Sequence, residues 1–273
     1  MSDINDSHKM PLLEHLVELR NRLLKSVIAI ILLFFIFFAF KEHIYAFLVQ
    51  PLADVLAERG GTRRMIFTAL HEAFFTYIKV SFWTALFVAF PFVAAQFWRF
   101  VAPGLYGNEK KALLPYLILS PILFFLGGAL VYYFIFPLAW QFFISFETTG
   151  SPGALPVQLE PKVNEYLSLV MRLIFAFGLS FQLPIVLTLL ARAGLTTSQS
   201  LADKRKYAVV FSFIGAAIIT PPDVISQVGL AIPIIVLYEV SIFAVRAVEK
   251  KRKGLDDDYE EEITEETDFN LPS

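Results

Sequence analysis

Six long, nearly uninterrupted apolar runs, separated by short polar turns, decide what this chain can become. They run from about Ser26 to Phe40, Ala73 to Phe100, Ala112 to Phe136, Tyr166 to Leu190, Tyr207 to Thr220 and Ser226 to Val245. A bilayer core about 30 Å thick needs about 20 apolar residues at helical rise, and runs of this kind read as membrane-spanning helices. Only 18% of the 273 residues are charged and 56% are hydrophobic, whereas soluble domains carry about 25% charged residues. The expected fold is all-α and polytopic, with six transmembrane helices. Pro91, Pro115, Pro121 and the Gly127-Gly128 pair interrupt the second and third runs, so those spans are expected to bend, giving a concave bundle. The fifth run has room for only about 21 Å of helix, so the fifth and sixth spans are expected to be short and to thin the bilayer locally.

Lys and Arg set the orientation. Sixteen of them lie at the N-terminus, around the Phe100–Glu109 turn, in the Arg192–Lys206 turn and after the sixth run; five lie in the opposite loops. The positive-inside rule then puts both termini in the cytoplasm, as an even number of spans requires. Three regions follow: residues 1–25, an N-terminal segment with an amphipathic helix from Pro11; residues 26–248, the six-span domain; and residues 249–273, a basic then acidic tail. That tail carries nine acidic residues between Asp256 and Asp268 and is expected to be disordered.

With no cysteine, disulfides, thiolate metal sites and cysteine nucleophiles are excluded. The four histidines, at 8, 15, 43 and 71, are not paired at metal-ligand spacing, so neither metal nor cofactor is expected, and no nucleic-acid partner. Polar groups near or within the membrane are the remaining candidates. Glu14, Glu18 and Arg22 step by four along one helix face. Glu109, beside Lys110 and Lys111, either grips a cation presented by another molecule or is simply solvated. Lys79 is expected to snorkel outward from its span. Gln182 serves either as a contact for a partner span or as a packing residue. Glu239, midway along the sixth run, is costly in lipid and is expected to be protonated or paired.

Four segments carry a resemblance. His15-Leu16-Val17-Glu18-Leu19-Arg20-Asn21-Arg22-Leu23, Phe100-Val101-Ala102-Pro103-Gly104-Leu105-Tyr106 with Glu109, Phe177-Gly178-Leu179-Ser180-Phe181, and Thr220-Pro221-Pro222-Asp223-Val224-Ile225-Ser226-Gln227 resemble the TatC family of twin-arginine protein translocase subunits. The similarity covers about residues 11 to 248. It implies a receptor rather than an enzyme, in a bacterial plasma (inner) membrane. Such a receptor binds twin-arginine signal peptides of folded cargo and works with the single-span partners TatA and TatB. It also implies a homo-oligomer within a larger complex, driven by the proton motive force. Carried over by motif, Glu18 and Glu109 would contact the signal's arginines, with Arg20 and Phe100 supporting the same surface. Pro51 matches a position in the first external loop, and Asp223 and Gln227 match positions at the far side and in the last span. Where some members carry a glutamate after the Phe-Gly-x-Ser-Phe run, this chain has Gln182, which cannot titrate. A secondary transporter or channel for a small solute is the alternative, suggested by Lys79, Arg172, Gln182 and Glu239. Against it, no internal repeat is detectable and these residues do not share one depth.

Overall fold

The computed structural model describes residues 12–58, 64–105, 110–148, 150, 155–220 and 224–269. Among the described residues the structure consists of helices joined by turns and loops, with two isolated β-pairings in the loops, Ile66 with Lys162 and Thr148 with Val157. The helices are α1 (Leu12–Ala39), α2 (Lys41–Glu58), α3 (Glu72–Leu105), α4 (Lys110–Leu130), α5 (Phe136–Ile144), α6 (Val163–Ser180), α7 (Leu183–Arg192), α8 (Ser198–Asp203), α9 (Arg205–Ile219) and α10 (Val224–Phe269), with a π turn, Val131–Ile135, joining α4 to α5. Among the described residues, five stretches are long and apolar enough to cross a membrane: Glu14–Ala39, Glu72–Val101, Leu114–Ile144, Val163–Arg192 and Gln227–Lys250. The remaining apolar run is α9, whose 15 residues span about 22 Å. The protein is all-α and polytopic.

The chain forms two compact units, Met1–Gly178 and Leu179–Ser273. In the first, the amphipathic segment and the first span are a single 28-residue helix, α1. No breaker interrupts it, and the Ser26 hydroxyl donates back to the Arg22 carbonyl at 3.0 Å, in line with the helix. α1 lies along α3 and leaves most of its apolar surface outward, as a lipid-facing helix does. On α3, Ser81, Ala85 and Ala89 are buried at four-residue steps. Small residues let helix backbones approach where lipid removes the hydrophobic drive for association.

The third span runs further than expected, because α5 continues it through Pro137 to Ile144. Pro137 sits in the first turn of α5, directly after the π turn. The fully buried rings of Phe124 and Phe136 anchor the core of this unit, with Val131, Leu167 and Val170.

Pro51 is buried inside α2. Its missing N–H leaves the Phe47 carbonyl, four residues back, without a helical donor. The Tyr132 hydroxyl donates to that oxygen at 2.7 Å, and the Tyr166 hydroxyl donates to the Leu48 oxygen at 3.0 Å. The Tyr132 and Phe47 rings stack with centroids 4.5 Å apart. Tyr132→Phe is expected to destabilise the protein by about 1–3 kcal/mol by orphaning that carbonyl. A thermal melt in detergent checks this, and an unchanged midpoint would mean that water replaces the hydroxyl.

In the second unit α10 packs against α7, α8 and α9. Ala191, Leu201, Ile242 and Val245 form a small core there, with Leu187 and Tyr238 against it. α10 continues as a helix to Phe269, and the side chains of its basic and acidic end lie outside the described residues.

Candidate functional site

Two helix ends of the first unit build the candidate site. α1 contributes Glu14, Glu18, Asn21, Arg22 and Lys25 on successive turns, and the end of α3 contributes Gln96 and Arg99; together they line an open cleft of about 690 Å³. The four-residue steps bring these α1 side chains onto one face. The His15 ring stacks on Phe100 with centroids 4.2 Å apart and planes at 14°, which fixes the first turns of α1 against α3.

Glu18 is held asymmetrically. Its Oε1 accepts both N–H groups offered by Arg22, from Nε at 2.9 Å and from Nη2. Its Oε2 is enclosed and has no hydrogen-bond partner among the described residues, with His15 Nδ1 3.9 Å away. An enclosed carboxylate oxygen without a donor carries a desolvation cost that any incoming N–H would relieve. Arg20 does not line the cleft: it is exposed, and its one side-chain contact among the described residues is to Asn21 Oδ1 at 3.5 Å.

Of the site residues expected from sequence, Glu18 and Phe100 are brought together through His15. Glu109 and Asp223 lie outside the described residues. Pro51 belongs to α2 and its carbonyl-capping tyrosines. Gln182 is buried in the turn between α6 and α7, and Gln227 Nε2 donates to the Phe213 carbonyl at 3.3 Å, tying α10 to α9. Glu239 accepts from Arg205 Nε at 2.7 Å and Nη2 at 3.0 Å, a fork at the start of α9 whose two side chains are 37% and 51% exposed respectively. This bond raises the Arg205 pKa further above its ordinary value. Lys79 does not snorkel outward: its Nζ donates to Asn164 Oδ1 at 2.7 Å and Ser168 Oγ at 3.1 Å, because two acceptors on α6 lie within reach. Arg22, Gln96 and Arg99 complete the cleft; the sequence signalled Arg22 by its spacing from Glu18, but nothing local pointed to Gln96.

The fold and the site define a multi-span helical membrane protein with a charged cleft at its helix ends. The family model for the Sec-independent protein translocase protein TatC matches residues 14–233. The chain is 51% identical to the Sec-independent protein translocase protein TatC of Magnetococcus marinus over 92% of its own length and 89% of that protein's. With the TatC of Escherichia coli it shares 40% identity over 86% of this chain and 88% of the relative. A crystal structure of the twin arginine translocase receptor TatC superposes with a TM-score of 0.73 at 39% identity, covering 86% of this chain and 99% of that one. The chain belongs to the TatC family of Sec-independent protein translocase proteins. It is therefore a translocase subunit and not an enzyme.

Proposed function

We propose that the chain is the signal-peptide receptor and core subunit of a twin-arginine translocation system, with the cleft between α1 and α3 as its recognition site. The observation that carries this reading is the asymmetric Glu18 carboxylate, with one oxygen saturated by Arg22 and the other enclosed without a donor. Guanidinium presents a planar fork of donors, whereas an ammonium is a point charge. A signal arginine fits an acceptor that is already oriented, and Glu109 would take the second arginine. An exposed ion pair contributes only about 0.2–1 kcal/mol, but a charge-assisted bond at a partly desolvated group reaches about 1.5–3 kcal/mol.

In the same reading, both termini face the cytoplasm of a bacterial inner membrane. TatA and TatB are the partners, the complex holds more than one copy of the chain, and the proton motive force drives export. Lys79 and Glu239 each find partners within their own unit, so nothing favours a solute pathway.

Site-specific photo-crosslinking from position 100 tests the proposal, with one signal peptide carrying Arg-Arg and another carrying Lys-Lys. Crosslinks to the Arg-Arg peptide alone, lost in Glu109→Ala, are the expected result. Equal crosslinking of both peptides would overturn it.

A further inference from the structure

A cavity of about 490 Å³ opens in the first unit, and its lining shares no residue with that of the charged cleft. Its walls are almost wholly apolar: Phe47 of α2, Trp83 and Phe87 of α3, Tyr133 of the π turn, and Met171 and Phe175 of α6. Phe47 and Tyr133 are more than half exposed, so the pocket has an aromatic rim open to its surroundings. π turns within longer helices are frequently found at functional sites, and here the turn supplies part of the wall.

The same helix faces become polar one turn further on. Lys79 stands four residues before Trp83, which itself precedes Phe87 by four; on α6, Asn164 and Ser168 precede Met171 and Phe175 at helical spacing. Residues at such steps share a face, so two stripes lead from a polar end into the apolar pocket. Lys79 Nζ bridges the two stripes through its bonds to Asn164 Oδ1 and Ser168 Oγ. An ammonium has three N–H donors, and these bonds use two. No carboxylate pairs with Lys79 among the described residues. The carboxylate two turns away, Glu72, accepts from the Thr68 and Ala69 amides at 2.7 and 3.3 Å, from the Thr68 hydroxyl at 3.2 Å and from the Asn164 backbone N–H, and it forms no ion pair with Lys79 among the described residues.

We propose that this cavity holds one acyl chain of an anionic phospholipid whose phosphate accepts the remaining N–H of Lys79. The cavity is too apolar to hold ordered water, which needs two to four polar partners, and the medium around a spanning helix is lipid. A cation without a carboxylate at the polar end selects an anionic headgroup. The occupant is a bilayer lipid and not a free anion, because the apolar lining begins at Trp83, one turn beyond Lys79 on the same helix face.

Trp83 reports on the site. The purified protein is placed in phosphatidylcholine nanodiscs doped with a small, equal fraction of acyl-brominated phosphatidylglycerol or acyl-brominated phosphatidylcholine, and tryptophan quenching is measured. Brominated phosphatidylglycerol is expected to quench at least about twofold more strongly, with the difference removed by Trp83→Phe and by Lys79→Gln but retained in Lys79→Arg. Ala129 also lines the cavity; Ala129→Phe, which fills it and leaves Lys79 unaltered, is expected to lower quenching by both lipids, and it decides the matter if Lys79→Gln fails to fold. Equal quenching by the two lipids in the unaltered protein, a preference that survives Lys79→Gln, or unchanged quenching in Ala129→Phe would overturn the proposal. Competition by inorganic phosphate at millimolar concentration would overturn it too, since it would mark a simple anion site.

Discussion

Glu18→Gln is expected to weaken binding of an Arg-Arg signal peptide by about 10–100-fold and to remove the preference for Arg-Arg over Lys-Lys. Removing one charge-assisted bond at a partly desolvated site costs about 1.5–3 kcal/mol, and each 1.4 kcal/mol is tenfold in affinity. Glutamine keeps the size and one acceptor, so α1 is expected to keep its fold. The change also releases Arg22, which then adds an unpaired cation to a cleft already holding Lys25 and Arg99. Arg22→Gln has the opposite sign. It frees Glu18 Oε1 from its internal partner and is expected to tighten Arg-Arg binding a few-fold. Anisotropy of a labelled signal peptide against the protein in nanodiscs measures both. Equal affinities for Glu18→Gln and the unaltered protein would remove Glu18 from the recognition site.

Much of this architecture is legible in the sequence, because lipid makes the rules strict. Apolar runs mark the spans, and the spacing of Glu14, Glu18 and Arg22 marks one face of α1. What the sequence hides is long range. Tyr132 lies 85 positions from the carbonyl it caps and Tyr166 lies 118 from its own, so Pro51 can be seen as a breaker while its compensation cannot. Lys79 looks like a snorkelling lysine until α6 brings Asn164, 85 positions away, beside it. The π turn at Val131–Ile135 has no local signature, and without it Pro137 reads as the end of a span.

A second large effect is expected at Gly178, and it explains physically why a glycine stands in the Phe-Gly-x-Ser-Phe run. A Cβ at this position would lie 2.6 Å from Cε2 and 2.8 Å from Cδ2 of Phe124. That ring cannot give way. It is fully buried, it stacks on Phe90 with centroids 3.6 Å apart, and Phe87 and Phe175 meet it at 5.0 and 5.6 Å. Gly178→Ala is expected to cost about 1–3 kcal/mol by overpacking, and Gly178→Leu to push α6 off α4 and abolish folding at ordinary temperature. Phe124→Ala alone leaves a cavity and is expected to cost about 3–5 kcal/mol. Because the two changes act on one volume, their combination should not add. Gly178→Leu with Phe124→Ala is expected to recover folded protein that Gly178→Leu alone does not yield. Size-exclusion profiles and melting midpoints in detergent read this out. A double variant no better than Gly178→Leu would mean that the glycine is required for the backbone of α6 rather than for the space that Phe124 fills.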